Sequence, residues 1–148
     1  MTSKSPTIAV IVTLLIVHDG KVLLAKRTPI ETRAPEDLGK MWHLPGGTLD
    51  FGEHPEQAAV REAKEEIGLE VRLHRLMGVT TRTKKSHMWH GVILTYLCTL
   101  MNPHEEPVLK SDEIQAYSWL NYEDLDDAKL LPGIRDQIDL YFKPQLRS

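Results

Sequence analysis

The hydrophobic positions of the chain fall into short runs that predict β-strands. Ile8 to Val17 and Lys21 to Arg27 are rich in aliphatic and β-branched residues, and His18-Asp19-Gly20 separates them. An Asp-Gly step between two such runs is typical of a tight β-hairpin. The next segment, Thr28 to Lys40, is polar and contains two prolines, so we predict a long loop there.

One segment has the pattern of an amphipathic helix. It runs from Pro55 to Ile67, has no glycine or proline after its first residue, and is followed by Gly68. Proline suits the first turn of a helix, and glycine suits the position just after its end. Val60, Ala63 and Ile67 lie on one side of this helix, and we predict that this side is buried against a sheet.

The second half of the chain predicts three more strands and a final helix. The strand segments are Val71 to Thr81, His87 to Leu100 and Ile114 to Leu120, with the first two joined around Lys84-Lys85-Ser86. Ile134, Ile138 and Tyr141 recur at helical spacing. We therefore predict a last helix that starts at Pro132. Strands interrupted and followed by helices predict a mixed β-sheet with helices on both faces.

Composition and charge limit the class of protein. The chain has 148 residues, of which 41% are hydrophobic and 26% charged, as expected for a single globular domain with its core at about residues 8–142. The net charge of −3 and the lack of a basic stripe argue against binding to duplex nucleic acid. The run Ile8 to Val17 is about half the length of a membrane-spanning helix, and no signal peptide is recognised. We expect a cytoplasmic protein without membrane contact, with Cys98 as a reduced core thiol.

The first helix also carries a cluster of acidic side chains. Glu62, Glu65 and Glu66 stand at i, i+3 and i+4, which puts three carboxylates on one face within reach of a common point. Their mutual repulsion is offset when a hard cation lies among them. Oxygen ligands favour Mg²⁺, with Mn²⁺ as a substitute, and no nearby thiolate or histidine cluster favours zinc. The cluster therefore predicts a divalent metal site.

Neighbouring residues suit a supporting role. Arg61 points to another side of the helix, where its fork can bind the carboxylate of Glu53 in the preceding loop. The turn Pro45-Gly46-Gly47 contains two residues without Cβ, so its backbone can approach a metal or a phosphate closely. We predict an Arg61–Glu53 ion pair and a carbonyl ligand from the glycine turn.

The whole segment from Gly47 to Leu69 matches a known spacing. It fits G-x5-E-x7-R-E-U-x-E-E-x-G-U, where U is a bulky or aliphatic residue, and the chain therefore resembles the MutT/Nudix hydrolase family. The matching residues are Gly47, Glu53, Arg61, Glu62, Ala63, Glu65, Glu66, Gly68 and Leu69. Seven fixed residues match by chance about once in several hundred million placements. The resemblance implies an α/β/α sandwich, and hydrolysis of a nucleoside diphosphate linked to another group.

The resemblance also implies roles for residues at the site. The implied metal ligands are Glu62, Glu65, Glu66 and the carbonyl of Gly46, with Arg61 and Glu53 as the orienting pair. Glu113 lies six residues before Trp119, as a metal-associated glutamate does in the MutT branch. It is our candidate for a further metal ligand and for the general base, and a solvated carboxylate at a strand edge is the alternative.

Substrate contacts are predicted from position alone. Arg27 ends the second strand and is a candidate phosphate ligand, with a surface ion pair as the alternative. Trp42 and His43 precede the glycine turn, where one of them is expected to face a base or ribose unless it is simply core. Gly47 allows close approach of the substrate, and His87 is placed at the start of a strand that lines the same cleft.

Two functions stay open at this point. The chain lacks the proline and tyrosine that follow the motif in relatives acting on ADP-ribose and on dinucleoside polyphosphates, so a nucleoside triphosphate or a nucleotide sugar is favoured. The alternative is a non-catalytic Nudix-fold sensor that binds a nucleotide or a protein. Such sensors usually lose motif carboxylates, whereas this chain retains them all. The sequence does not decide between a monomer and a homodimer.

Overall fold

The computed structural model describes residues 5–28, 41–110 and 112–143. All of the predicted loop Thr28 to Lys40 except Thr28 lies outside these ranges. The described elements are β1 (Thr7–His18), β2 (Lys21–Arg27), β3 (Trp42–His43), β4 (Gly46–Thr48), α1 (Pro55–Ile67), β5 (Val71–Lys84), β6 (Trp89–Leu100), β7 (Ile114–Asn121) and α2 (Ile134–Phe142). Short 3-10 turns occur at Lys85–His87, Tyr122–Asp124 and Asp127–Lys129.

Strand β1 is the centre of a mixed sheet. It runs parallel to β6 from Thr7 to Ile16 and antiparallel to β2 and β4. The main strand order is β3-β2-β1-β6-β5, with β4 paired to β1 and β7 paired to β2. Asp19 and Gly20 have φ of 51° and 76°, the left-handed values that a two-residue hairpin turn requires. The predicted hairpin is confirmed.

Alternate side chains of β1 fill two cores on opposite faces of the sheet. Leu14 and Ile16 pack toward α1, together with Ala59, Ala63 and other apolar residues. Leu15 lies on the other face and packs toward Ile134 and Ile138 of α2. Because helices cover both faces of a mixed sheet, the predicted α/β/α sandwich is confirmed.

Helix α1 has the predicted bounds, and Ala63 and Ile67 of its predicted face are buried. It begins at Pro55 and ends before Gly68, which adopts a left-handed φ of 65°. Val60 is 45% exposed, so its predicted burial is wrong. The buried residues are Ala58, Ala59, Ala63, Glu66 and Ile67. Small alanines let the helix approach the sheet closely, and this orientation also carries Glu66 inward.

Two other local predictions need correction. Helix α2 begins at Ile134 rather than at Pro132, since Gly133 just before it has a left-handed φ of 89°. Tyr141, which shares the helical spacing of Ile134 and Ile138, is 37% exposed. His87 belongs to a 3-10 turn and precedes β6, which begins at Trp89.

The remaining predictions concern the burial of Cys98 and the lack of a membrane-spanning helix. Cys98 is a free, buried cysteine, which confirms its predicted place in the core, and burial raises the pKa of its thiol to about 12. Within the described ranges, neither helix is long and apolar enough to cross a membrane.

Candidate active site

The glycine turn before the motif is a short strand. We predicted an irregular turn at Pro45-Gly46-Gly47, whereas Gly46–Thr48 forms β4 and pairs with Ile11, Val12 and Thr13 of β1. Gly46 has a φ of 155°, and a Cβ at this position would collide with the backbone of Val12 and lie 2.9 Å from the Cα of Thr13. The absence of a side chain therefore lets β4 lie directly against β1, with its backbone facing helix α1.

Glu66 is the buried centre of the acidic face. Its side chain is only 9% exposed, and the N–H of Gly46 donates to its Oε2 at 3.1 Å. The pKa of Glu66 is raised to about 7, mainly by burial and also by the charges of Glu62 and Glu113, while the Gly46 N–H and Arg27 act in the opposite direction. Glu113 and Arg27, predicted from separate parts of the chain, therefore lie within electrostatic range of the same carboxylate.

Arg61 joins the loop to the helix. Its Nε donates to Glu53 Oε2 at 2.7 Å and its Nη2 donates to Glu53 Oε1 at 3.0 Å, which is the bidentate geometry predicted for this pair. The Arg61 guanidinium holds the pKa of Glu53 below its usual range. Contrary to the prediction that Arg61 points elsewhere, its Nη1 also donates to Glu62 at 2.9 Å and to Glu65 at 3.0 Å.

The predicted convergence of three carboxylates is not seen in this arrangement. Among the described residues, no group of three or more histidine, cysteine or acidic side chains is placed to hold a metal ion. The physical reason is that Arg61 holds Glu62 and Glu65, while Glu66 is held by Gly46.

The donors nevertheless fit a hard divalent cation. All are carboxylate oxygens, the ligand type that Mg²⁺ and Mn²⁺ prefer. A Cβ at Gly47 would lie 2.6 Å from Cδ of Glu62, so the glycine leaves the space that this carboxylate occupies. Burial raises the pKa of Glu62, while Arg61 lowers it. Crowded carboxylates in a partly buried setting are stabilised by positive charge, whether from Arg61 or from a metal.

Trp42 and His43 lie on opposite sides of β3. Trp42 packs against the core on the α2 side, and Lys26 Nζ lies 5.7 Å from its ring centre, so its indole lies away from the acidic face. His43 pairs with Ala25 and is 6% exposed. Its Nδ1 lies 2.8 Å from the carbonyl oxygen of Leu44, and burial lowers its pKa to about 4. His43 is therefore a neutral buried imidazole.

His87 lies apart from these residues. Its side chain is exposed in the 3-10 turn that precedes β6, and its Nδ1 lies 2.8 Å from Oγ of Ser86. No described contact connects His87 with the acidic face. A role in binding substrate stays a prediction for His87, as it does for Trp42, His43 and Gly47.

Two cationic residues near Arg27 were not identified as candidates from the sequence. Arg82 and Lys84 alternate along β5, and each has its pKa lowered by burial and by the positive charge of Arg27. Neither forms an ion pair with a described carboxylate. Their i, i+2 spacing at the end of a predicted strand was the available signal, since it puts both side chains on one face of the sheet.

Replacing Arg61 with lysine is expected to reduce kcat/KM by about 10- to 100-fold, the usual effect of losing a residue that orients metal ligands. Lysine keeps the charge but cannot bind Glu53 bidentately while also bonding to Glu62 and Glu65. Steady-state kinetics with a metal titration provides the measurement. Arg72→Lys, on an exposed position of β5, is the matched control, and equal activity of the two variants would contradict the orienting role.

Known proteins are similar to this chain in sequence and in fold. The family model described as NUDIX domain matches residues 6–141. The chain is 30% identical over 128 residues to the CTP pyrophosphohydrolase of Escherichia coli strain K12, with 83% of each chain covered. It is also 30% identical over 121 residues to the nucleoside triphosphatase NudI of Escherichia coli strain SE11, covering 78% of this chain and 83% of the relative. The crystal structure of a MutT NUDIX hydrolase from Burkholderia pseudomallei is similar with a TM-score of 0.76 and 32% identity, covering 91% of this chain and 98% of that one.

Proposed function

The chain belongs to the Nudix hydrolase family, whose members act on acid anhydrides of phosphorus, and we propose that it is a Mg²⁺-dependent nucleotide pyrophosphohydrolase. Its proposed substrate is a nucleoside triphosphate or a nucleotide sugar, and Mn²⁺ is the proposed substitute metal. The observation that carries the proposal is the buried carboxylate of Glu66, which receives the Gly46 N–H and lies within range of Glu62, Glu113 and Arg27. Three carboxylates and one cationic residue are therefore within electrostatic range of one another.

The residues divide into ligands and supports. We assign the metal to Glu62, Glu65, Glu66 and the Gly46 carbonyl, with Glu113 as a further ligand. When bound, a divalent metal neutralises charge on the pyrophosphate and lowers the pKa of the attacking water. The N–H of Gly46 fixes the orientation of Glu66, and Arg61 ties the helix to Glu53 of the loop. These bonds join the acidic face to β4 on one side and to the preceding loop on the other.

We assign the general base and the attraction of substrate phosphate to two residues at the edge of the acidic face. Glu113 lies beside the end of β2, because its carbonyl oxygen accepts a hydrogen bond from the N–H of Thr28 at 2.8 Å. We assign its carboxylate as the general base that takes a proton from the attacking water. Arg27 on the same strand end contributes positive charge toward a substrate phosphate.

A substrate screen in which the nucleotide products are separated by chromatography tests the proposed function. Wild-type protein is assayed with nucleoside triphosphates, nucleotide sugars, ADP-ribose and dinucleoside polyphosphates, each with Mg²⁺ or Mn²⁺, and the results are compared as kcat/KM. We expect turnover of at least one nucleoside triphosphate or nucleotide sugar, and loss of that turnover in Glu65→Gln. Binding of nucleotides without turnover of any of them would identify a sensor and overturn the proposal.

Mg²⁺ is expected to raise the melting temperature of the protein, because it binds the folded acidic face and not the unfolded chain. At a concentration 100 times its Kd, the gain in unfolding free energy is about 2.7 kcal/mol, which corresponds to roughly 5–10 °C for a chain of this size. Calorimetry with and without Mg²⁺ measures the shift, and Glu62→Gln is expected to reduce it. A melting temperature that does not respond to millimolar Mg²⁺ would contradict the metal site.

A further inference from the structure

Strand β5 ends in three cations, Arg82, Lys84 and Lys85, which we call the cationic end of β5. Arg82 lies opposite Gly91 of β6, and Lys84 lies opposite Trp89. Because alternate positions of a strand point to the same face, Arg82 and Lys84 share one face of the sheet. Lys85 follows directly in the exposed 3-10 turn that leads to β6. Positive charge is therefore concentrated where β5 turns into β6.

The described part of the chain provides no acidic partner for these cations. None of the ion pairs among the described residues includes Arg82, Lys84 or Lys85, and the segment 71–100 contains no aspartate or glutamate. Burial lowers the pKa of Arg82 and of Lys84, and the positive charge of Arg27 lowers both further. Cations that repel one another are stabilised by a bound anion. The cationic end of β5 is therefore suited to a negatively charged ligand.

An aromatic ring lies on the same face as these charges. Lys84 Nζ is 5.6 Å from the centre of the Trp89 ring. The ring extends over Gly91, where an added Cβ would collide with Cη2 of Trp89. The glycine opposite Arg82 thus makes room for the indole, which stays partly exposed. Cations beside an exposed aromatic ring are typical of sites for single-stranded nucleic acid, since the ring stacks on a base and the cations attract phosphates.

Arg27 connects the cationic end of β5 with the acidic face. Its charge influences the pKa of Arg82 and Lys84 and also that of Glu66, so Arg27 lies within electrostatic range of both sites. A ligand whose pyrophosphate lies at Glu66 and Arg27 can therefore place a further phosphate at Arg82 and Lys84.

The cationic end of β5 is distinct from the cavity beside it. That cavity, of about 200 Å³, lies between β5 and the start of α2 and is lined by Arg82 and by the acidic Asp136. Lys84, Lys85 and Trp89 are not among its lining residues. A phosphate is repelled by the carboxylate inside the cavity, whereas it meets only positive charge on the segment 71–100.

We propose that the cationic end of β5 and Trp89 bind the second nucleotide of a single-stranded nucleic acid whose 5′ pyrophosphate lies at the acidic face. Arg82 and Lys84 pair with the phosphate that follows the first nucleoside, and the next base stacks on the Trp89 ring. The preferred substrate is then an RNA or DNA oligonucleotide with a 5′ triphosphate. This inference rests on the proposed function, which places the 5′ phosphates.

Other anionic ligands use fewer of these groups. A free nucleoside triphosphate carries all its phosphates on the 5′ side, at the acidic face, and leaves none for Lys84. A nucleotide sugar likewise lacks a second phosphate group beyond its nucleoside. An acidic peptide pairs with Arg82 and Lys84 but has no pyrophosphate for the acidic face. Only an oligonucleotide supplies a 5′ pyrophosphate, a further phosphate and a second base.

Binding measurements test the proposal. Affinities are measured with Mg²⁺ in the Glu65→Gln variant, so that the probes are not hydrolysed. The probes are a 5′-triphosphorylated oligonucleotide of about six nucleotides, as RNA and as DNA, the same strands with a 5′ hydroxyl, and the free triphosphate of the first nucleoside. The triphosphorylated strand of at least one type is expected to bind about 10-fold or more tightly than the free nucleotide, as one stacked base and one paired phosphate supply. Equal affinity of the strands with and without a 5′ triphosphate would overturn the proposal.

A matched pair of variants separates a specific site from general attraction. Lys84→Gln is expected to reduce the preference for the strand about 5- to 10-fold and to lower its salt dependence by about 0.7 in log affinity against log salt, the value for one phosphate. Arg72→Gln makes the same charge change on the same face, since Arg72 lies opposite Thr99, but at an exposed position about 33 Å away along the sheet. It is expected to leave the preference unchanged. Equal losses in the two variants would overturn the proposal.

Two variants of Trp89 test stacking. Trp89→Phe keeps an aromatic ring and is expected to retain most of the preference, whereas Trp89→Leu is expected to reduce it about 5-fold or more. Equal effects of the two changes would contradict the stacking role and overturn the proposal.

Kinetics of the wild type with Mg²⁺ distinguish this inference from the proposed function. Turnover of free nucleoside triphosphates with no preference for the triphosphorylated strand in kcat/KM would overturn the inference and leave the proposed function intact. Selective binding of the triphosphorylated strand without turnover of any probe would support the inference and contradict the proposed function.

Discussion

Glu66→Gln is expected to reduce kcat/KM by roughly 100- to 1000-fold and, at the same time, to make the metal-free protein more stable at pH 8. Glutamine keeps an oxygen that can accept from the Gly46 N–H but removes the charge that a metal needs. It also removes a buried carboxylate whose ionised form is unfavourable without a cation. Loss of activity and gain of stability in one variant is the pattern of a site built for a ligand.

The effect of pH on stability follows from the raised pKa of Glu66. Burial raises this pKa to about 7 in the folded protein, from an ordinary value of 4.5. The folded protein therefore binds a proton more readily than the unfolded chain, and the associated stability is present below pH 4.5 and lost as the pH rises to about 7. Each pKa unit corresponds to about 1.4 kcal/mol, so the ionised carboxylate destabilises the metal-free protein by up to about 3 kcal/mol.

Urea denaturation in EDTA between about pH 4.5 and pH 8 measures this effect. The difference in unfolding free energy between Glu66→Gln and wild type is expected to grow with pH and to level off above about pH 7. His43, with its pKa lowered from 6.5 to about 4, makes both proteins less stable as the pH falls below 6.5, and its effect cancels in the difference. Glu70→Gln, at an exposed position, is the control. A difference that is independent of pH would contradict the burial of an ionisable Glu66.

Local signals predicted the elements of the fold well, whereas burial of particular faces depended on distant residues. Pro55 and Gly68 mark the ends of α1 because each acts through its own backbone geometry. Val60 was assigned to the core because it is apolar. Val60 is exposed because the helix packs against the sheet through Ala59 and Ala63. The spacing of residues along a helix does not reveal which of them come closest to the sheet.

The candidate site shows the same division between local and distant information. The bidentate Arg61–Glu53 pair follows from residue type and spacing. The further bonds from Arg61 to Glu62 and Glu65 depend on where the loop places Glu53. The cavity beside Arg82 was not predicted, because its walls come from β5 and α2, which meet only through the tertiary fold.

Gly46→Ala is expected to destabilise the protein by about 3 kcal/mol or more, because its Cβ would meet backbone atoms that have no rotamer to change. Those atoms belong to Val12 and Thr13 of β1, the central strand. Relief of the collision requires β4 to separate from β1. Separation would also break the hydrogen bond that the Gly46 N–H donates to Glu66, so metal binding is expected to weaken together with stability.

Variants at two other glycines distinguish the cost of a strained backbone from the cost of a steric collision of the added Cβ. Gly52 has a φ of 79°, but no atom lies within 4 Å of the position that a Cβ would take, so Gly52→Ala is expected to cost only about 1 kcal/mol. A Cβ at Gly47 would meet the side chain of Glu62, which can rotate away. Gly47→Ala is therefore expected to lower kcat/KM by displacing that carboxylate, with a smaller loss of stability than Gly46→Ala. Thermal denaturation and kinetics of the three variants measure this order, and equal destabilisation by Gly46→Ala and Gly52→Ala would show that β4 does not need the close contact with β1.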